Sequence, residues 1–228
     1  MTLGKPNSVI LGVVICVLLT SFCEAQTLVD YQPANAQTTP ALMPSTQIAG
    51  LTATNLTAGS GLFAEPGSYN WSDWNDTSTS FTGAVAANDF WTWGLTVDSG
   101  SMALNLTNLS LALQRSGDGP DDVEVQASIN GGTNFSVLTG SFGGSTAVTT
   151  FSASGISAPL LNPGDSIDFT LAGFNSASVF GGLSLQSIPG STSGLFLEGN
   201  FVPIPEPASA SLLALAIAGA GLTRRRRA

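Results

Sequence analysis

Apolar and polar residues alternate along the central part of this 228-residue chain. The clearest run extends from Trp91 to Val97, where Trp, Leu and Val alternate with Thr and Gly. Further runs occupy residues 123–129, 166–171, 183–185 and 195–197. Because successive side chains of a strand point to opposite faces, this period of two predicts strands with one buried and one solvated face. Such strands are typical of antiparallel sheets.

The alternation changes phase in the middle of the chain. The apolar residues are Met102, Leu104 and Leu106 before the change and Leu109, Leu111 and Leu113 after it. Even positions thus give way to odd ones at Thr107-Asn108, which predicts either a β-bulge or a corner between two strands.

Turn residues separate the alternating segments. Asn130-Gly131-Gly132 is a strong hairpin signal, because Asn and Gly tolerate the positive φ of a tight turn. About eight to ten strands at this spacing predict an all-β fold, an antiparallel β-sandwich with a jelly-roll order favoured over an immunoglobulin-like one. We assign the sandwich to residues 48–202 and expect no helix within it. Residues 26–47, rich in Gln, Pro, Ala and Thr, are interpreted as a linker or loosely attached segment.

Residues 1–25 have the layout of a secretory signal peptide with a helical apolar core. Lys5 precedes the apolar run 9–19, and small side chains precede a cleavage site between Ala25 and Gln26. The alternative is an uncleaved anchor, although the run is shorter than the about 20 residues of a membrane span. The signal predicts export by the general secretion machinery and processing by signal peptidase.

Both cysteines of the chain, Cys16 and Cys23, lie in this N-terminal segment. The exported protein would then contain neither a disulfide nor a thiolate. Its stability would have to come from a packed core, for which its length is sufficient.

The C-terminal segment, residues 203–228, has three parts. Its first part is Pro205, Glu206 and Pro207, and an uncharged apolar run, 208–222, follows. The chain then ends with a cluster of Arg224, Arg225, Arg226 and Arg227. This order predicts a single transmembrane helix with the arginines as a stop-transfer signal on the cytoplasmic side. A plain tail anchor and a basic patch for nucleic acid are the alternatives.

These three parts resemble the PEP-CTERM sorting signal of bacterial exported proteins. The resemblance implies an exosortase-type processing enzyme that recognises Pro205-Glu206-Pro207 and removes the helix after transient anchoring in the inner membrane. It also implies a location in the cell envelope, at the cell surface or in the extracellular matrix, and a link to exopolysaccharide. It covers only the last residues and implies nothing about the chemistry of the middle.

A second resemblance concerns the sandwich itself. The segment 89–135, with the run from Leu104 through Arg115 to Pro120, and the strand VFGGLSLQSI at 179–188 are similar to a domain common among PEP-CTERM proteins. Those domains are taken to be jelly-roll sandwiches, so this resemblance implies the fold rather than an activity.

The charged residues and the amino-acid composition of residues 26–202 exclude several functions. Arg115 is the only basic residue of residues 26–202, against thirteen acids, so that nucleic acid is not an expected partner. The chain has no His, and residues 26–202 have no Cys or Lys. Ser-His-Asp and thiol catalysis, Schiff-base chemistry and His-ligated zinc are therefore excluded. A carboxylate pair for glycoside hydrolysis remains, but no spacing indicates which pair.

Two polar segments are candidate sites. Asp118, Asp121 and Asp122, with Glu124 nearby, supply hard oxygen ligands for calcium, the one cofactor that the sequence suggests. The alternative is that they are solvated acids, one of them paired with Arg115.

The other segment contains Trp71, Asp73 and Trp74 among polar residues, a combination that sugar sites use for ring stacking and hydroxyl binding. The alternative is that these indoles close one end of the sandwich. Trp91 and Trp93, which share one face of a strand, are expected in the core.

The sequence therefore predicts an exported, non-enzymatic structural or adhesive component of the cell surface or matrix. A carbohydrate-binding module, with or without calcium, is the second hypothesis. A carboxylate-dependent enzyme acting on glycans is the third.

Overall fold

The computed structural model describes residues 25–33, 41–67, 69–74, 77–100 and 102–204. The strands are β1 (Gln26–Tyr31), β2 (Ala41–Leu42), β3 (Thr46–Gln47), β4 (Leu51–Ala53), β5 (Leu56–Ala58), β6 (Phe63–Glu65), β7 (Asn70–Ser72), β8 (Phe90–Val97), β9 (Met102–Arg115), β10 (Pro120–Ile129), β11 (Phe135–Ser141), β12 (Thr149–Ser154), β13 (Ser166–Ser176), β14 (Leu183–Gln186) and β15 (Leu195–Pro203). The one helix within these ranges is α1 (Phe81–Ala87), and it is neither long nor apolar enough to cross a membrane. The predicted signal-peptide and C-terminal helices lie outside the described residues.

The strands form two antiparallel sheets. Sheet A has the order β3-β1-β15-β9-β14-β7-β6, and β12 also pairs with β9. Sheet B has the order β11-β10-β13-β8-β5-β2, and β4 also pairs with β8. The all-β prediction is confirmed.

The order of the long strands is that of a jelly roll. Residues 108–111 of β9 pair with both β12 and β15, so these two strands lie on opposite edges of β9. Sheet A therefore contains the series β1-β15-β9-β12, and sheet B contains β8-β13-β10-β11. Between β8 and β14 the chain changes sheet five times and stays in one sheet only at the β10–β11 hairpin. These crossovers and this order are the double Greek key of a jelly roll.

The core lies between the inner faces of the two sheets. Trp93 stacks on Phe169 with ring centroids 5.4 Å apart, and Tyr69 and Trp74 each meet Trp91 edge to face. Trp91 and Trp93 are buried, as predicted from their shared strand face. Such aromatic pairs contribute about 0.5–1.5 kcal/mol beyond the area that they bury.

The phase change in the sequence corresponds to a bulge in one continuous strand. On β9, Asn108 lies opposite Glu198 and Leu106 lies opposite Gly199, so Thr107 is the extra residue. Gly199 fits here because a Cβ would lie 2.4 Å from the carbonyl oxygen of Asn105. The bulge, rather than the corner, is therefore the correct alternative.

The predicted hairpin at Asn130-Gly131 joins β10 to β11. Both residues have positive φ, 51° and 66°, as the two central residues of a tight hairpin turn require.

Strands β14 and β15 are two parts of one interrupted strand. Gln186 of β14 lies opposite Ala112, and Leu195 of β15 lies opposite the next residue of β9, Leu111. Residues 187–194 therefore leave the sheet and return to it. Strand β14 continues sheet A beyond β15 and connects it to β7 and β6.

Residues 26–47, expected to be a linker or loosely attached segment, instead contribute strands to both sheets: β1 and β3 to sheet A and β2 to sheet B. Strand β1 pairs with β15 along its whole length, and Leu28, Val29 and Tyr31 are buried. The Gln- and Pro-rich composition concealed this strand, because its three apolar residues do not alternate regularly with polar ones. Residues 34–40 lie outside the described part of the chain.

The helix α1 contradicts the expectation of a sandwich without helices. Ser80 caps it by accepting a hydrogen bond from the backbone N–H of Gly83, and Asn88 ends it in the left-handed conformation. Phe81 and Ala84 pack on Ala172, on the outer side of sheet B. Its seven residues are too few to show a helical period in the sequence.

Candidate functional site

A polar groove lies on the outer face of sheet A, where β9, β14, β7 and β6 are neighbours. It encloses about 360 Å³. The lining residues are Glu65, Asn70, Ser72, Gln114, Arg115, Ser116, Phe180, Gly182 and Ser184.

Four of these residues form a straight row across the four strands. Gln114 of β9 lies opposite Ser184 of β14, Ser184 lies opposite Asn70 of β7, and Asn70 lies opposite Glu65 of β6. Residues directly opposite each other in antiparallel strands share one face of the sheet. Because the alternate residues Trp71 and Leu183 are buried in the core, the row faces outward. We call these four residues the polar row.

Hydrogen bonds orient several members of the row. Ser72 donates to Glu65 Oε1 at 2.8 Å. Ser184 donates to the carbonyl oxygen of Gln114 at 3.2 Å, and the Gln114 amide donates to the carbonyl oxygen of Thr146 at 3.1 Å. The groove therefore presents amide, hydroxyl and carboxylate groups in fixed positions, and such groups can bind the hydroxyls of a ligand.

An exposed aromatic ring stands beside the row. Phe180 is 81% exposed, the highest value among the exposed large hydrophobic side chains of the described residues. The turn that carries it is held in place, because the backbone N–H of Gly182 donates to Ser116 Oγ and its carbonyl accepts from the N–H of Ser116. Gly181 fits closely in the same turn, since a Cβ there would lie 2.2 Å from the carbonyl oxygen of Asp118. An exposed ring on such a turn, beside polar groups, can pack on the C–H face of a sugar while its hydroxyls are bound nearby.

Arg115 forms the inner wall of the groove and has a structural role. Its side chain is 6% exposed and pairs with Asp121 at 2.5 Å. It also donates to the carbonyl oxygens of Ser116 and Gly117, at 3.0 and 2.6 Å. The predicted pairing with one of the nearby acids is therefore present, and the guanidinium holds the turn that carries Ser116.

Trp71 and Trp74 do not form the predicted stacking surface. They are 6% and 0% exposed, and Trp74 Nε1 donates to the carbonyl oxygen of Trp71 at 3.0 Å. Both indoles belong to the core, as the alternative interpretation states. Asp73 between them has a φ of 68° and lines a separate shallow depression with Gly61 and Asp89.

The three candidate calcium ligands are not brought together. Asp121 pairs with Arg115, whereas Asp122 is the next residue of β10 and therefore faces the opposite side, where it accepts from the Asn175 amide at 2.5 Å. Asp118 lies in the turn before β10 and is exposed. Among the described residues, no three acidic side chains are placed to hold one metal ion.

The segment that the sequence singled out contributes residues to the groove, but not the three that were named as sugar-binding candidates. Asn70 and Ser72 flank Trp71 and face the groove, because side chains alternate along β7. Phe180 was not considered. Its signal was a large aromatic residue directly before Gly181-Gly182, at a turn rather than within an alternating strand.

Comparisons with known proteins concern mainly the end of the chain. A family model described as the PEP-CTERM protein-sorting motif matches residues 203–227. No curated protein matches the sequence. Among solved structures, CBM29_1, a family 29 carbohydrate binding module from Piromyces equi, is 11% identical, with a TM-score of 0.37 over 77% of this chain and 91% of that one. This structural likeness is too low to carry an argument about function. The chain thus ends in a PEP-CTERM protein-sorting motif, which marks an exported protein that exosortase-type machinery sorts to the cell envelope.

Proposed function

We propose that the sandwich is a non-catalytic domain that binds neutral polysaccharide at the cell surface or in the extracellular matrix. The observation that carries this proposal is the polar row beside the exposed ring of Phe180 in a single groove. Hydroxyl-rich ligands need several fixed donors and acceptors together with an apolar surface, and this groove supplies both.

The charge of the domain favours a neutral ligand. Among the described residues that line the groove, Glu65 is the one with an unpaired charge, since Arg115 is neutralised by Asp121. Residues 26–202 carry one basic residue against thirteen acids. This excess of negative charge repels anionic polysaccharides, whereas amides and hydroxyls bind uncharged sugars without electrostatic cost.

The same lining residues argue against hydrolysis. A glycoside hydrolase needs two carboxyl groups about 5–10 Å apart on either side of the bond that it cleaves. Glu65 is the one acidic residue among those that line the groove in the described part of the chain. The groove therefore suits binding rather than cleavage.

The position of the groove suits a surface protein. Strand β9 begins at Met102, opposite Pro203, where the sorting motif starts, and ends at Arg115 in the groove. Fourteen residues of strand separate these ends by about 40 Å. The groove therefore lies at the end of the sandwich away from the sorted tail, where a polysaccharide can reach it while the tail is attached.

A glycan screen with the purified exported protein tests the proposal. We expect binding to neutral polysaccharides and a loss of affinity of at least about tenfold in Phe180→Ala and Asn70→Ala, with unchanged melting temperatures. Met43→Ala, which removes a side chain that is 71% exposed elsewhere, is the matched control. Absence of binding to every glycan, or equal binding by Phe180→Ala, would show that the proposal is wrong.

A further inference from the structure

We infer that the groove binds an extended, unbranched polysaccharide that lies across the strands, with about one sugar unit over each of the four strands. This inference rests on the proposed function and specifies its ligand class. Its basis is the polar row, whose four members are in direct register on β9, β14, β7 and β6.

The spacing of the row matches an extended sugar chain. Neighbouring strands lie about 4.8 Å apart, so the row places a polar side chain about every 4.8 Å over about 14 Å. Of the four, Ser184 is nearly buried, so Gln114, Asn70 and Glu65 are the ones that a ligand reaches. This repeat is close to the length of one pyranose unit in an extended, ribbon-like β-linked chain. A helically coiled polysaccharide rises less per unit and would lose register after one or two strands.

The floor of the groove has no side chain at Gly182, where such a polysaccharide would lie. Gly182 lies between Ser116 and Asn70, and a Cβ there would meet Trp71 O and Asn70 Oδ1 at 3.6 and 3.7 Å. These are ordinary contacts, and the φ of Gly182 is not positive. The fold therefore tolerates a side chain at this position, and glycine instead leaves the groove open for a ligand.

The groove is open at the Glu65 end. Strand β6 is the last strand of sheet A in this direction, and Phe63 and Glu65 on it are exposed. A chain can therefore leave the groove past Glu65, so the site accepts an internal stretch of a polymer rather than only its terminus.

The two ends of the row contribute differently. The turn that carries Phe180 bonds to Ser116, just after β9, and leads directly into β14, so the ring lies beside the half of the row that holds Gln114 and Ser184. A short oligosaccharide is held there by the ring, and only a longer one reaches Glu65.

Calorimetric titration of the exported protein with linear β-linked glucose oligosaccharides of one to six units tests this arrangement. We expect the affinity to rise by about two- to tenfold with each unit up to about four, as each unit adds hydrogen bonds, and then to stay constant. Glu65→Gln lowers the affinity for the tetrasaccharide severalfold and leaves that for the disaccharide unchanged. Gly182→Val, which fills the floor, abolishes tetrasaccharide binding.

The outcomes separate this inference from the proposed function. Equal affinity for one and four units, or an equal effect of Glu65→Gln on short and long ligands, overturns the extended arrangement and leaves glycan binding intact. Binding only to coiled or branched neutral glycans also overturns the extended arrangement and leaves glycan binding intact. Absence of binding at every length in this series and in the glycan screen overturns both.

Discussion

The guanidinium of Arg115 and the carboxylate of Asp121 form an ion pair of 2.5 Å across the turn between β9 and β10. The arginine is almost fully buried, whereas the aspartate side chain is 38% exposed. Asp121 also accepts from the backbone N–H of Gly144 at 2.8 Å. The pair therefore connects the turn beside the groove to the segment that follows β11.

We expect Asp121→Asn to lower the free energy of unfolding by about 1–3 kcal/mol. Removing one partner of a fully buried pair costs more, but the exposure of Asp121 reduces the loss. Chemical denaturation measures the change. Asp118→Asn is the control, because the backbone oxygen of Asp118 accepts a hydrogen bond from Ser176 while its side chain is exposed. We expect this variant to change the free energy of unfolding by less than about 0.5 kcal/mol. Equal stability of the two variants contradicts a role for the ion pair.

The two tyrosines predict how the fold responds to alkali. Burial raises the pKa of Tyr31 and of Tyr69 far above their ordinary value, and these are the only tyrosines of the chain. Their contribution to stability is complete below about pH 10, the pKa of an unfolded tyrosine, and is lost as the pH rises toward the folded pKa. Tyrosinate absorbance should therefore appear only together with loss of the β-sheet circular dichroism signal. A smooth titration near pH 10 with the sheet signal intact would falsify this.

Two adjacent glycines should behave in opposite ways on substitution. A Cβ on Gly181 would lie 2.2 Å from the carbonyl oxygen of Asp118, whereas one on Gly182 makes only ordinary contacts. We expect Gly181→Ala to lower the free energy of unfolding by about 1–3 kcal/mol, as overpacking does, and Gly182→Ala to change it by less than about 0.5 kcal/mol. Thermal melting of both variants checks this. The reverse order of melting temperatures contradicts the geometry of the turn.

Calcium should have no effect on the described sandwich. Asp121 and Asp122 face opposite sides of β10 and are engaged by Arg115 and Asn175, so no ion can be shared between them. We expect equal melting temperatures in EDTA and in millimolar calcium, because a ligand stabilises a fold only when it binds to it. A rise in melting temperature that depends on calcium concentration would require a metal site built from other residues.

The sequence predicted the parts of the fold that depend on short stretches of chain. The alternation in 91–97 and 166–171 requires only neighbouring residues, and so does the positive φ at Asn130-Gly131. The change of phase at Thr107 located a bulge for the same reason. The C-terminal end of the chain, with Pro205-Glu206-Pro207 and the four arginines, was also interpretable, because the sorting motif is a local pattern.

Segments with short or mixed patterns were not predictable in this way. Strand β1 shows no alternation, because Leu28 and Val29 are adjacent, and helix α1 has too few residues to show a period. Their pairing or packing partners, β15 and β13, lie about 80 residues or more further along the chain. Trp71 and Trp74 lie in a polar stretch, so the sequence alone could not show that their rings enter the core. Their burial is a consequence of the position of β7 beside β14.

By itself, the sequence determined that this protein is an exported all-β chain with a sorted C-terminus, because the sorting motif and strand alternation are encoded in contiguous residues. Only the tertiary structure decided which residues form the groove. Glu65, Asn70, Gln114 and Ser184 come from four strands and meet through the register of strand pairing. That register depends on the packing of both sheets around a common core, and no short stretch of sequence contains it.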